Sequence, residues 1–234
     1  MRLSKLLNIV FPDMCPLCSE RQPEDGKPIC STCFSDLSII HGRTCTKCGG
    51  PLLTEHARCR ECTDSPRVWW QSAVSAFCFD GLSREAVHRF KYHGDVSLIP
   101  FLSDACISAW NERCPDKTVD CIVPVPLHWL RKLRRGYNQS EMICTEISQA
   151  LSAPMIRAVK RVRWTPPQAQ LSKSKRQNNL KNAFLVSNQE RIRGKSLLLV
   201  DDVMTTGSTL NECSRQLVKA GAAEVNILTI ARRL

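Results

Sequence analysis

Apolar residues recur along this chain at two distinct periods. Residues 197–200 (Leu-Leu-Leu-Val) form a continuous apolar run, the pattern of a strand buried on both faces. Leu210, Cys213, Leu217 and Ala220 follow it at helical spacing. Upstream, residues 73–79 alternate as a strand, 82–92 read as a helix stopped by Gly94, and 96–110 supply a second amphipathic helix. Residues 119–126 are a strand running into a proline-stiffened loop, 136–141 open a further helix, and 225–231 are the last strand. Strands alternating with helices predict an α/β fold. Its sheet is mostly parallel and flanked by helices, with the chemistry in loops at the carboxyl ends of the strands.

The first 66 residues do not fit that alternation. They hold four C-x-x-C pairs: Cys15/Cys18, Cys30/Cys33, Cys45/Cys48 and Cys59/Cys62. Each pair has the form of a knuckle, and two knuckles close one tetrahedral Cys₄ zinc site. A redox C-x-x-C stands once, beside a βαβ unit, rather than four times in succession. Two structural Zn²⁺ ions are therefore expected, with sequential and crossed pairings of the knuckles both open. Gly49 and Gly50 suit the turn after the third pair, and His41 and His56 read as surface residues. Residues 1–12 place Leu3, Leu6, Leu7 and Val10 on one helical face, read as a docking helix rather than a signal peptide. Pro66 lies in a compositional shift that sets the boundary: 1–66 for the helix and zinc module, 67–234 for the α/β domain. Trp69 and Trp70, just beyond it, either pack between the domains or offer rings on which bases stack.

Composition narrows the function. Hydrophobic content of 43% in 234 residues supplies a core, and no apolar run is long enough to span a membrane. Fourteen cysteines without an export signal argue for a cytoplasmic metal protein, the six outside the pairs being small core residues. The formal charge is +11, and two Cys₄ zinc sites bring it to about +7. Cations concentrate in two places. Arg131, Lys132, Arg134 and Arg135 cluster before Gly136 and Tyr137, a glycine-bearing anion loop between a strand end and a helix start. From 147 to 189 the chain has no acidic residue, while Arg157, Lys160, Arg161, Arg163, Lys173, Lys175, Arg176 and Lys181 are basic.

The run 197–200 leads into Asp201 and Asp202, then Val-Met-Thr-Thr-Gly-Ser-Thr. Loop and helix N–H groups there form a phosphate cradle, which Gly207 lets an anion approach closely. The two carboxylates suit ribose hydroxyls, directly or through Mg²⁺. The competing reading is a solvated acidic turn with an N-cap at Ser208 or Thr209.

This string resembles the phosphoribosyl-pyrophosphate (PRPP) motif of type I phosphoribosyltransferases. The resemblance implies that Asp201 and Asp202 contact the ribose hydroxyls while Thr205, Thr206, Gly207, Ser208 and Thr209 wrap the 5′-phosphate. The Pro-Val-Pro-Leu-His and Arg-Gly-Tyr-Asn-Gln segments resemble the ComF family of competence and DNA-utilisation proteins, which join a zinc-ribbon segment to a phosphoribosyltransferase-like domain. The likeness takes in the cysteine knuckles, Lys91-Tyr-His-Gly-Asp, Gln168, Leu171 and the segment from Arg176 to Phe184. It implies pyrophosphate binding by Arg135, Gly136 and Tyr137. It also makes the basic stretch a loop closing over pyrophosphate, with Lys173 and Arg176 as catalytic cations. The reaction expected of such a site is displacement at the ribose anomeric carbon, with Mg²⁺ and these cations stabilising the departing pyrophosphate. No base-recognition motif or general base stands near the loop. Two functions follow: a DNA-uptake protein that binds PRPP or ribose phosphate and single-stranded DNA beside uptake-machinery proteins, or an active salvage phosphoribosyltransferase.

Overall fold

The computed structural model describes residues 14–52, 59, 62, 68–127, 137–163 and 183–234. Within them the N-terminal module carries one short helix, α1 (Ser31–Ser35). Then come β1 (Ala73–Cys78), α2 (Gly81–His88), α3 (Ile99–Arg113), β2 (Cys121–Pro124) and α4 (Gln139–Ala150). They are followed by β3 (Val159–Arg161), β4 (Phe184–Val186), β5 (Ser196–Met204), α5 (Ser208–Lys219) and β6 (Glu224–Arg232). β1, β6, β5 and β2 make one sheet in that order, every pairing parallel, as the alternation predicts. β3 and β4 form a separate antiparallel ribbon.

Successive side chains of a strand point to opposite faces. In β5, Leu198 and Val200 join a layer holding Val87 of α2, Leu102 of α3 and Ile143 of α4. Leu197 and Leu199 join the opposite layer, with Leu210, Cys213 and Leu217 of α5 and Val159 and Phe184 of the ribbon. A strand covered on both sides is apolar at every position, which accounts for the run 197–200.

β1 departs from its expected one-sided alternation: all but its last residue are buried. The reason is the N-terminal module. Ile40 donates its N–H to the Ala76 carbonyl (2.9 Å) and Cys78 donates to Ser38 (2.8 Å), covering the strand edge that would otherwise face solvent. Cys106, Cys114, Cys121, Cys144 and Cys213 are buried as expected, whereas Cys78 is only half-buried.

The cysteine pairs settle into sequential quartets. Cys15, Cys18, Cys30 and Cys33 form one and Cys45, Cys48, Cys59 and Cys62 the other, with the four sulfurs of each within 4.8 Å of one another. The Cys18 and Cys30 sulfurs lie 3.9 Å apart and those of Cys48 and Cys59 3.5 Å. A tetrahedral ion with Zn–S bonds of about 2.3 Å needs sulfurs roughly 3.8 Å apart, so both quartets fit Zn²⁺. Burial opposes ionisation of Cys15, yet N–H groups of Cys30, Cys18 and Leu17 pull its thiol down to about 6. The helix expected over 1–12, His56 and the boundary at 66/67 lie outside the described residues.

Cys15, Cys30 and Cys33 share a hydrophobic cluster with Val74, Phe77 and Leu102, so the first quartet is tied to the main core. The full chain is expected to purify reduced with two zinc ions. Cys18→Ser should remove one and lower the thermal midpoint, because a structural zinc supplies folding energy directly. Metal analysis that finds no zinc in fresh, reduced protein would contradict the assignment.

Candidate functional site

The acid pair sits where the sheet loses a strand. β2 pairs with β5 as far as Pro124 opposite Val200, and Val125 makes the last bond, donating to the Val200 carbonyl (2.9 Å). Among the described residues, β5 from Asp201 onward has a strand neighbour on the β6 side alone. There the pairing continues through Asp201–Thr229, Val203–Ala231 and Met204–Arg232. β5 thus runs past the acids instead of ending at them. Asp201 Oδ1 accepts the Asp202 N–H (2.9 Å) and Asp202 Oδ1 accepts the Val203 N–H (2.7 Å), which fixes both carboxylates against their own backbone.

Two side chains from elsewhere complete the pair. Lys91 Nζ lies 2.7 Å from Asp202 Oδ2, and the Ser140 hydroxyl donates to Asp201 Oδ1 (3.2 Å). Burial, and then the neighbouring Asp202 charge, push the Asp201 carboxyl up to about 7, against the pull of Lys91, the Asp202 N–H and Ser140. Burial works to lower Lys91, but the Asp202 and Asp201 carboxylates raise its ammonium above the usual lysine value.

Lys91 reaches the acids from a π-helical turn, Arg89–His93, which extends α2 and ends at Gly94 with φ of 69°. Such turns recur at functional sites because they redirect a side chain out of the helical register. This one is held from the segment that opens α4. Tyr137 donates its hydroxyl to the Phe90 carbonyl (2.6 Å), Gln139 donates to the Lys91 carbonyl (3.0 Å), and the Tyr137 ring packs over Gly94. Asn138 caps α4, accepting the Ser140 N–H and donating to the Val125 carbonyl, both at 3.2 Å. Tyr137, expected to bind pyrophosphate, thus ties the segment that opens α4 to the turn bearing Lys91.

The segment expected to cradle phosphate, 205–209, follows without a break. Thr205 and Thr206 are exposed, Gly207 is buried, and Ser208 and Thr209 are half-buried. Gly207, with φ of 70°, is itself the N-cap of α5, so neither Ser208 nor Thr209 plays that part. The Ser208 hydroxyl pairs with that of Thr206 (2.9 Å), and α5 starts with no side-chain cap. An uncapped twelve-residue helix directs its first N–H groups and the positive end of its dipole toward whatever occupies the loop.

Of the remaining predicted cations, Arg135, Lys173 and Arg176, with Gly136, lie outside the described residues. The ribbon β3–β4 brackets 164–182 and carries the start of the basic stretch. Two of its cations are committed: Arg157 pairs with Glu141 (3.3 Å) and Arg161 lies over the Phe184 ring at 5.4 Å. Lys160 and Arg163 are exposed. Trp70 is buried and does not offer its ring to solvent. Sequence reasoning gave no role to Lys91 or Ser140. Their signals were slight: a lysine three residues before a helix-stopping glycine, and a serine after an asparagine N-cap.

Two family models match. A double zinc ribbon domain covers residues 6–63 and a phosphoribosyl transferase domain covers 134–234. "Competence protein F" of Haemophilus influenzae is 33% identical over 209 residues, 87% of this chain and 90% of its own. "DNA utilization protein YhgH" of Escherichia coli (strain K12) is 32% identical over 234 residues, 97% of this chain and all of its own. "Competence protein ComFC" of Bacillus subtilis is 28% identical over 94% of this chain and 95% of its own. With two Cys₄ quartets ahead of a parallel sheet, and relatives of this kind matching almost end to end, the chain belongs to the ComF family of competence and DNA-utilisation proteins.

Proposed function

We propose that the chain binds PRPP or ribose 5-phosphate at the acid pair and phosphate loop, and single-stranded DNA on its basic ribbon, as a cytoplasmic protein of DNA uptake or utilisation. The observation that carries the first half is the continuity of the acid pair with the uncapped start of α5. A diol binder and a phosphate binder stand in series along one stretch of backbone, in the order of a sugar 5-phosphate. The carboxylate oxygens are the hard donors that a Mg²⁺ ion carried by PRPP prefers. Lys91 orients one carboxylate and Ser140 the other, so the pair is preorganised before ligand arrives. The DNA role rests on the exposed Lys160 and Arg163 and on the names of the competence and DNA-utilisation relatives. Proteins of the uptake machinery are the partners this role calls for.

A second reading, an active phosphoribosyltransferase, draws on the ribbon. β3 and β4 bring the two ends of 164–182 side by side, and Arg157 anchors the approach to β3 on Glu141, next to Ser140. On this reading Lys173 and Arg176 would stabilise a departing pyrophosphate, and Arg135, Gly136 and Tyr137 would bind it. Pyrophosphate release from PRPP across a panel of bases separates turnover from binding alone.

Calorimetry with ribose 5-phosphate and Mg²⁺ tests the site. Asp201→Asn should cost roughly 10- to 100-fold in affinity, the range for a hydrogen bond to a charged group. Because the Asp201 carboxyl is raised to about 7, affinity should strengthen from pH 6 to pH 8 with proton release near neutrality. Stability should run the other way. A carboxyl raised from the model-peptide value of 3.8 favours the fold below about 7, so the free protein loses stability as pH rises through that window. Asp201→Asn removes the loss. Wild-type affinity in Asp201→Asn would contradict the ribose assignment. Asp202→Asn is the poorer probe, since it strands Lys91 beside the lost charge.

For DNA, the log-affinity of a single strand should fall with log salt at roughly −0.7 per phosphate contacted. Lys160→Ala with Arg163→Ala should flatten that slope by roughly 1.4 while sparing ribose 5-phosphate binding. An unchanged slope would remove the ribbon from the DNA surface.

A further inference from the structure

The third residue of the first C-x-x-C pair in each zinc quartet, Leu17 or Lys47, presents its carbonyl to a side chain of the α/β domain. The Leu17 carbonyl accepts from Arg89 Nη1 (2.8 Å), and Arg89 is the first residue of the π-turn that carries Lys91. The Lys47 carbonyl accepts from the Trp70 indole Nε1 (2.7 Å), and the far edge of that indole lies under the phosphate loop. A Cβ at Gly207 would stand 3.3 Å from Trp70 Cη2, so the left-handed Gly207 rests directly on the ring.

The Cys45/Cys48 knuckle makes a further connection. Arg232, 3% exposed, donates Nη1 to the Cys48 carbonyl (2.7 Å) and lies 3.1 Å from the Met204 sulfur, at the residue where β5 passes into the loop. Trp69 donates its N–H to Asn211 Oδ1 (3.0 Å) in the first turn of α5, and Ala73 donates to the Thr46 carbonyl (2.7 Å). The knuckle glycines are fitted to this contact. A Cβ on Gly49 would come within 3.0 Å of the Ala73 carbonyl, and one on Gly50 within 3.0 Å of Arg232 Nε.

We infer that the zinc knuckles are the jigs on which the ribose-phosphate site is assembled. The Cys15/Cys18 knuckle sets the Lys91 turn through Arg89, and the Cys45/Cys48 knuckle sets the phosphate loop through Trp70 and Arg232. This deepens the ribose-phosphate reading and rests on it for the ligand. Trp70, Arg89 and Arg232 are positioning residues: none touches the expected ligand, and each acts through a backbone segment that does. A zinc-bound knuckle has its carbonyls fixed by two sulfur–metal bonds, whereas a knuckle without metal has no such constraint. Zinc content therefore governs whether the phosphate loop is ordered, and the affinity for sugar phosphates follows it.

Two full-length variants test the coupling, with zinc analysis, calorimetry with ribose 5-phosphate and hydrogen exchange as readouts. Cys62→Ser removes a ligand of the second quartet without touching Lys47 or Cys48. It should hold one zinc, lose about tenfold in affinity and exchange faster across 205–209, with 197–200 and 226–230 still protected. Trp70→Phe keeps an aromatic ring but deletes both the N–H to Lys47 and the outer edge of the indole beneath Gly207, so it should retain both zinc ions and show the same two changes. Should Cys62→Ser unfold throughout, Trp70→Phe decides alone. Wild-type exchange across 205–209 in a Cys62→Ser protein with one zinc, or in Trp70→Phe, overturns the coupling. A wild-type protein that binds no ribose 5-phosphate counts against the ribose reading, and the exchange comparison still decides the coupling.

Discussion

Two adjacent carboxylates repel each other, and burial makes the repulsion worse because water no longer screens it. The end of β5 holds such a pair, and the surrounding structure exists in large part to tolerate it. Lys91 places a positive charge against Asp202, and Ser140 with a backbone N–H satisfies Asp201. Neither partner lies near the acids in sequence. Lys91 is delivered by a π-turn clamped through Tyr137 and Gln139, and Ser140 by the capped start of α4. The pair remains costly all the same, as the raised Asp201 carboxyl shows. A protein keeps a cost of that kind where function needs the group, and a ligand whose hydroxyls donate hydrogen bonds to the pair relieves it.

The sheet provides the opening and the zinc module the frame. β2 stops one residue short of the acids' level, so the acids stand where its parallel pairing ends, the usual place for a site in an open α/β sheet. At the far side of the sheet, segment 38–40 of the N-terminal module covers β1, and its Cys45/Cys48 knuckle meets the chain where β5 and β6 finish. The module therefore touches both the edge that needs covering and the loop that needs a fixed geometry. The double zinc ribbon and the phosphoribosyl transferase domain, two separate family models, are physically one assembly around the site.

Much of this could be read from the residues. The run 197–200 gave a doubly buried strand because both faces are covered, and the four cysteine pairs gave two zinc sites because their spacing leaves few alternatives. The pairing of knuckles could not be read, since nearly equal spacers suit sequential and crossed arrangements alike. The extent of β5 was hidden for another reason: Val203 and Met204 add only two apolar positions, and pairing with β6 carries the strand past the acids. Lys91 was noticed as part of a motif, yet its role is a long-range ion pair that no local pattern encodes. The ribbon escaped because strands of three residues lie below what periodicity resolves. Arg157 and Arg161 looked like spare cations until Glu141 and Phe184 were seen beside them.

The central claim is that one continuous stretch of backbone takes the sugar with its acids and the phosphate with its loop. A crystal structure of the full chain with ribose 5-phosphate and Mg²⁺ tests it most directly. The account predicts the phosphate on the N–H groups of Thr205 through Thr209, and the ribose hydroxyls within hydrogen-bond reach of Asp201 and Asp202. A phosphate bound instead at Lys160 and Arg163, with Lys91 and Asp202 paired and the loop without ligand, would contradict it.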